Sequence, residues 1–371
     1  MFTTRSGSHV WSTVLTAVWL LAATADGADP TDSKARDLRN VLGVTHVAGK
    51  YHLTEKSFLE EGADQIAALG SRVIKLYLVI PPRQYPFNTT WPQVKTLVEL
   101  AETPPYRAVF DGPFSTYVLT TYAAGRGDHY WIHGIDEAQA RDETEQFDRL
   151  ARHLLTRYRG TGKTFVLQHW EGDWAARGSF DRKADPTPKA FAGMIRWLNA
   201  RQAGVERARA EVGEDRVRVF HAAEVNLVRI ALDQQRPTVA DQVLPHARVD
   251  LVSYSAWDTQ DDPKRLRRAL DYIARHMPDR EPFGDRNVYL GEFGLPENDR
   301  PAEQLRRVIP GAIDTALDWG CPWVVYWQLY CNEARRQPVR SNEDVRGFWL
   351  IRPDGSKSWA WHELRRRLVG D

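Results

Sequence analysis

Only two cysteines, Cys321 and Cys331, occur in 371 residues, which excludes a disulfide scaffold; an oxidising compartment permits a single bridge between them. A charge of one sign is also missing. The formal net charge is +1, so no global field favours nucleic acid or a polyanionic polysaccharide, and the expected partner is uncharged. No apolar run reaches the roughly 20 residues needed to span a bilayer. The run Val10 to Ala23, with Arg5 ahead of it and Ala23-Thr24-Ala25 at its end, reads as a secretory signal occupying residues 1–28. Cleavage after Ala25 or Ala28 would leave a soluble, exported protein. GxGxxG and GxxxxGK[ST] are absent after the first strand-like run, which argues against a doubly wound nucleotide-binding sheet. HxH and HExxH are absent too, and His46, His169 and His221 fall on different runs. Neither a metal centre nor a cofactor is therefore expected.

What is present is a regular beat of short apolar runs and longer helical patterns over the remaining stretch of about 340 residues, with no linker or low-complexity tract. Strands are expected at Asn40 to Val47, Val73 to Val79, Tyr117 to Tyr122, Thr164 to His169, Val217 to Ala223, Val249 to Trp257, Val288 to Phe293 and Trp323 to Tyr330. Between them, helical patterns run over Glu55 to Leu69, Trp91 to Glu102, Glu137 to Arg159, Pro188 to Glu211, Val239 to Leu244, Pro263 to His276 and Ala302 to Trp319, and Trp359 to Leu368 closes the chain. Eight strands, each followed by helical material, predict a single-domain (β/α)8 TIM barrel, whose chemistry sits at the C-terminal strand ends.

Those ends would gather His46, Lys75, Tyr122, His169, Trp170, Glu171, Glu224, Tyr254, Trp257, Glu292, Trp327 and Gln328. Glu292 stands out within Asn287 to Gly294, NVYLGEFG, where a β-rich run stops at Gly-Glu-Phe-Gly. A carboxylate at the end of a buried strand costs several kcal/mol unless it is paired. Its bland reading is a structural ion pair with a nearby Lys or Arg; its functional reading is a nucleophile. Two acids among many aromatics suit glycoside hydrolysis: one acid protonates the leaving oxygen, the other attacks the anomeric carbon, and aromatic faces hold the sugar.

On these residues the chain resembles the clan A glycoside hydrolases, the retaining (β/α)8 enzymes that include family 5 cellulases and mannanases. NVYLGEFG and WVVYWQL resemble the nucleophile strand and the Trp-bearing last strand, ALGSRVIKLYL the second-strand pattern, and GFWLIRPDGSKSWAWHEL the usual finish. The resemblance implies Glu292 as nucleophile, Trp327 as the aromatic floor of the cleaved subsite, and Glu171 as acid/base. It also implies that Tyr254 donates to Glu292 and that the carboxyl groups stand about 5 to 5.5 Å apart. Two departures accompany it. The fourth strand ends QHWEGDW, so Trp170 replaces the Asn that normally precedes the acid and grips the sugar 2-hydroxyl, and His169 or Asn226 would inherit that role. Lys75 stands where an Arg is common, keeping the charge without the fork of donors.

Glu224, ending the fifth run in HAAEVN, is a rival acid/base. Glu171 and Asp173 alternatively belong to a solvated acidic loop. A carbohydrate-binding barrel without turnover is the competing function, since a fold alone does not imply activity.

Overall fold

The computed structural model describes residues 37–370; the signal reading for residues 1–28 lies outside them. The described residues hold eight parallel strands closed into a barrel in sequence order: β1 Leu42–Thr45, β2 Val73–Leu78, β3 Thr116–Thr121, β4 Thr164–Gln168, β5 Arg218–Val225, β6 Leu251–Ser255, β7 Val288–Phe293 and β8 Val324–Tyr326. β8 pairs with β1, with Leu42 opposite Val324, and this closes the sheet. The expected (β/α)8 barrel is therefore the observed fold.

Alternation along each strand splits the core in two. Val73, Val118, Val166, Phe220, Ala222, Leu251, Tyr289, Trp323 and Val325 fill the barrel interior, and a larger apolar layer lies between sheet and helices. Gly43 faces inward on β1 because a Cβ there would stand 2.7 Å from Val73 Cγ1. Two residues beyond the interior apolar layer, the same inward positions turn polar: Lys75 on β2, Gln168 on β4 and Glu224 on β5, each fully buried. This polar layer at the C-terminal end is the floor of the site.

The helices are α1 Phe58–Leu69, α2 Leu97–Ala101, α3 Pro104–Phe110, α4 Glu137–Arg157, α5 Gly172–Arg177, α6 Pro188–Val212, α7 Val228–Gln234, α8 Val239–Gln242, α9 Pro263–His276, α10 Ala302–Trp319 and α11 Trp359–Val369. The expected helix Trp91 to Glu102 begins later, because Thr96 caps it by accepting from the Glu99 N–H at 3.1 Å. Pro104 then starts α3, which the sequence reading omitted. Helices α5 and α7 fall between the expected elements; with six and seven residues they are too short for periodicity to register. Cys321 and Cys331 are buried, and no disulfide joins them. No helix among the described residues is long and apolar enough to cross a membrane.

Candidate active site

At Glu292 the strand alternation breaks. Pairing of β6 with β7 shifts register near Tyr254 and Ser255, and pairing of β7 with β8 shifts between Leu290 and Phe293. Counting by twos from inward Tyr289 would send Gly291, not Glu292, inward; the irregularity re-aims the carboxylate, a usual service of bulges beside active sites. Glu292 is 1% exposed. Its Oε1 accepts from Lys75 Nζ at 2.8 Å and its Oε2 from Trp257 Nε1 at 3.2 Å. Burial alone would discharge Lys75, yet its pKa is raised, because Glu292 and Glu224 outweigh the desolvation.

Glu224 is fully buried and bracketed on both oxygens. Oε1 accepts from the Glu171 backbone N–H at 2.8 Å and Asn226 Nδ2 at 3.3 Å; Oε2 accepts from Gln168 Nε2 at 2.7 Å and lies 3.6 Å from Lys75 Nζ. The Gln168 amide is oriented by the Tyr289 hydroxyl, which donates to its Oε1. Burial, opposed by Lys75 and helped by Glu292, pushes the Glu224 pKa up to about 7. Every partner is a donor, and the fully buried carboxylate offers no exposed oxygen to a substrate.

Glu171 differs in each respect. It follows β4 in the left-handed region, at φ 58° and ψ 49°, a conformation costly for a residue with a Cβ and typical of functional sites. The next residue is glycine because a Cβ there would meet Glu224 O at 2.1 Å. The Glu171 side chain is half-buried, its Oε2 is buried with no hydrogen-bond partner, and burial together with Glu292 and Glu224 raises its pKa well above the carboxylate range. Asp173 holds the turn: its oxygens accept from the N–H groups of Asn226 and Val239, both at 2.9 Å. A fully buried Asp173 with these bonds is no part of a solvated acidic loop.

The remaining expected residues separate into two groups. Trp170 is half-buried and lines a cavity of about 310 Å³ with Tyr122, Glu171, Trp174 and Phe180, while Trp257 and Trp327 meet edge to face at 6.5 Å beside Glu292. His169, Asn226, His46 and Tyr254 are engaged elsewhere. His169 Nε2 accepts the Glu224 N–H at 2.9 Å, which places its proton on Nδ1, and Asn226 braces Glu224, so both support the site from beneath rather than offering themselves to a sugar. Burial lowers the His169 pKa to about 3 and the His46 pKa to about 4, so both rings are neutral. His46 packs against Phe58 at 4.6 Å and bonds its carbonyl at 2.7 Å; it follows inward Thr45 and so faces α1. The Tyr254 hydroxyl meets Asp258 and Thr259, each at 2.6 Å, instead of Glu292, because Ser253 and Ser255 occupy the inward positions of β6. Trp257 takes the donor role expected of Tyr254. The sequence reading missed Gln168 and Tyr289; their signal is a polar atom at an inward barrel position.

No known family profile matches the chain, and no curated protein matches it. Solved structures do. A family 5 glycoside hydrolase from Bifidobacterium longum in complex with Manβ1-4GlcNAc is 13% identical with a TM-score of 0.58, over 89% of this chain and 78% of that one. An exo-β-1,4-mannosidase from an Opitutaceae bacterium is 14% identical with a TM-score of 0.54, over 89% of this chain and 59% of that one, so this chain spans less than two thirds of that protein. A broad-specificity endoglucanase from Clostridium longisporum is 11% identical with a TM-score of 0.54, over 89% and 95%. The chain has the barrel fold of the clan A glycoside hydrolases.

Proposed function

We propose that this protein is a retaining glycoside hydrolase acting on a β-linked oligo- or polysaccharide, with Glu292 as nucleophile and Glu171 as acid/base. The observation that carries the reading is the contrast between the surroundings of two glutamates at one barrel mouth. Glu292 accepts from the buried Lys75 ammonium at 2.8 Å, and burial with two neighbouring carboxylates raises the Glu171 pKa well above its ordinary value. Glu292 attacks the anomeric carbon as Glu171 gives its proton to the departing oxygen; Glu171 then takes a proton from water, which attacks the same carbon and frees Glu292. Trp327 and Trp257 supply apolar faces for the sugar at the nucleophile, and the cavity walled by Trp170, Trp174 and Phe180 receives the leaving group beside Glu171. Full burial and the three hydrogen bonds that its carboxylate accepts count against Glu224 as the acid.

The test is hydrolysis of a panel of β-glycosides with the anomeric configuration followed by NMR, alongside Glu171→Gln and Glu292→Gln. Retention, with turnover lost in both variants, supports the reading. Equal oligosaccharide binding by all three proteins with no turnover would favour a binding barrel. Export belongs to the same proposal: the secreted protein should begin at Asp26 or Asp29, which its intact mass reports.

A further inference from the structure

A second cavity, of about 510 Å³, lies over the C-terminal ends of β8, β1 and β2, which are neighbours in the closed barrel. Its walls come from three loops: Ala48 to His52 after β1, Arg83 to Phe87 after β2, and Gln337 to Val339 after β8. The first loop is tied to the other two, since the Ala48 N–H donates to Gln84 O and the Lys50 N–H to Cys331 O, each at 3.0 Å. This sector also carries Lys75 on β2 and Trp327 next to β8, whereas the cavity at Glu171 lies over β3 and β4. The two cavities therefore occupy different sectors of the barrel mouth, and with the leaving group placed beside Glu171 the second, away from Glu171, is taken as the glycone side.

The glycone-side cavity is lined by Lys50, Arg83 and His52 and by no acidic residue. Elsewhere in the chain Arg39, Arg209, Arg236 and Arg352 each meet a carboxylate within 2.9 Å. Among the described residues neither Lys50 nor Arg83 enters an ion pair. Two cations on one concavity without a counter-ion give it a positive local potential. An apolar wall stands beside them: Tyr51 is buried, and the Phe87 and His52 rings lie 4.8 Å apart.

We propose that this cavity is a glycone-side subsite for a sugar bearing an anionic group, a uronate carboxylate or a sulfate ester. Arg83 would take the planar or tetrahedral anion with its fork of donors, Lys50 would neutralise it as a point charge, and the Phe87 and His52 rings would meet the sugar's C–H face. The assignment rests on the substrate direction given under Proposed function, with the leaving group toward Glu171. It replaces the uncharged partner expected from the overall charge balance, because a net charge near zero conceals a basic hollow whose counter-charges sit elsewhere on the surface.

The test uses matched pairs of β-linked gluco-, manno- and xylo-oligosaccharides, each neutral or carrying one glucuronate or one sulfate at the non-reducing end. Calorimetric binding to Glu292→Gln is measured beside turnover by the wild type. At least one acidic member should bind about 10-fold tighter than its neutral counterpart at low salt, and 0.5 M NaCl should erode most of that preference. Its identity tells uronate from sulfate. In the Lys50→Ala, Arg83→Ala double variant, with a melting temperature near that of the parent, the ratio of acidic to neutral affinity should fall to about one. The proposal is overturned if no acidic member binds more tightly than its neutral partner, or if the preference survives high salt and the double substitution. Preference in binding without wild-type turnover would sink the catalytic reading and leave the subsite; turnover without preference would sink the subsite alone.

Discussion

Glu292 and Glu171 reach the same barrel mouth by opposite means. Glu292 sits on a strand, re-aimed by a register shift and gripped by Lys75 and Trp257; Glu171 sits just past a strand, in a left-handed turn, with a buried oxygen that has no partner. The difference teaches that surroundings assign the roles of two chemically identical side chains. Lys75 pairs with one, and apolar burial with like charge raises the pKa of the other. Glu224 joins the two halves, since one oxygen holds the Glu171 N–H while the other lies 3.6 Å from Lys75.

Breaking either half should cost most. Glu292→Gln should lower kcat by roughly 10⁴-fold or more on every substrate, whatever the leaving group, because the covalent step is lost. Glu171→Gln should lose about 10²- to 10⁴-fold on substrates with poor leaving groups and much less on a dinitrophenyl glycoside, whose phenolate leaves without a proton; steady-state kinetics on both substrates reads the contrast. Lys75→Met strikes the same comparison from the stability side. Removing one partner of a buried pair leaves Glu292 and Glu224 uncompensated and should cost about 3–5 kcal/mol, measured by urea unfolding.

Smaller effects sharpen the contrast. Glu224→Gln keeps the shape of the bracket but removes its charge, and should cost about 10-fold in kcat through misplacement of Glu171. The same variant has a pH signature. The Glu224 pKa is raised from the ordinary glutamate value to about 7 in the fold, so between about pH 4.5 and 7 the folded state binds more protons than the unfolded one, and stability falls as pH rises through that window. Glu224→Gln should therefore flatten the decline in Tm over that window. Tyr254→Phe should change kcat least, since its hydroxyl serves Asp258 and Thr259 rather than Glu292.

The barrel was legible because each strand run is short, apolar and followed by a helical pattern; β7, α9 and α10 were placed to the residue. Glu292 and Trp257 were legible because they stand at or just past strand ends, whereas Lys75 lies inside β2 at an inward position. What sequence could not place was the side each residue faces where alternation decides it. His46 and Tyr254 sit at strand ends yet point outward toward helices, and Glu292 points inward only through an irregularity no pattern announces. The support beneath the site was hidden for a related reason: Gln168 and Tyr289 gain meaning only once four strands are side by side. The local basic hollow at Lys50 and Arg83 vanished into a net charge of +1 because composition sums over positions that the fold separates.

The division of roles between Glu171 and Glu292 is tested most directly by azide rescue of Glu171→Ala and Glu292→Ala on a dinitrophenyl β-glycoside, with the anomeric configuration of the glycosyl azide read by NMR. The account predicts a β-azide from Glu171→Ala, formed as azide displaces Glu292 from the glycosyl-enzyme, and an α-azide from Glu292→Ala, formed by direct attack in the vacated space. A β-azide from Glu224→Ala with none from Glu171→Ala would contradict it and return the acid/base role to the buried carboxylate.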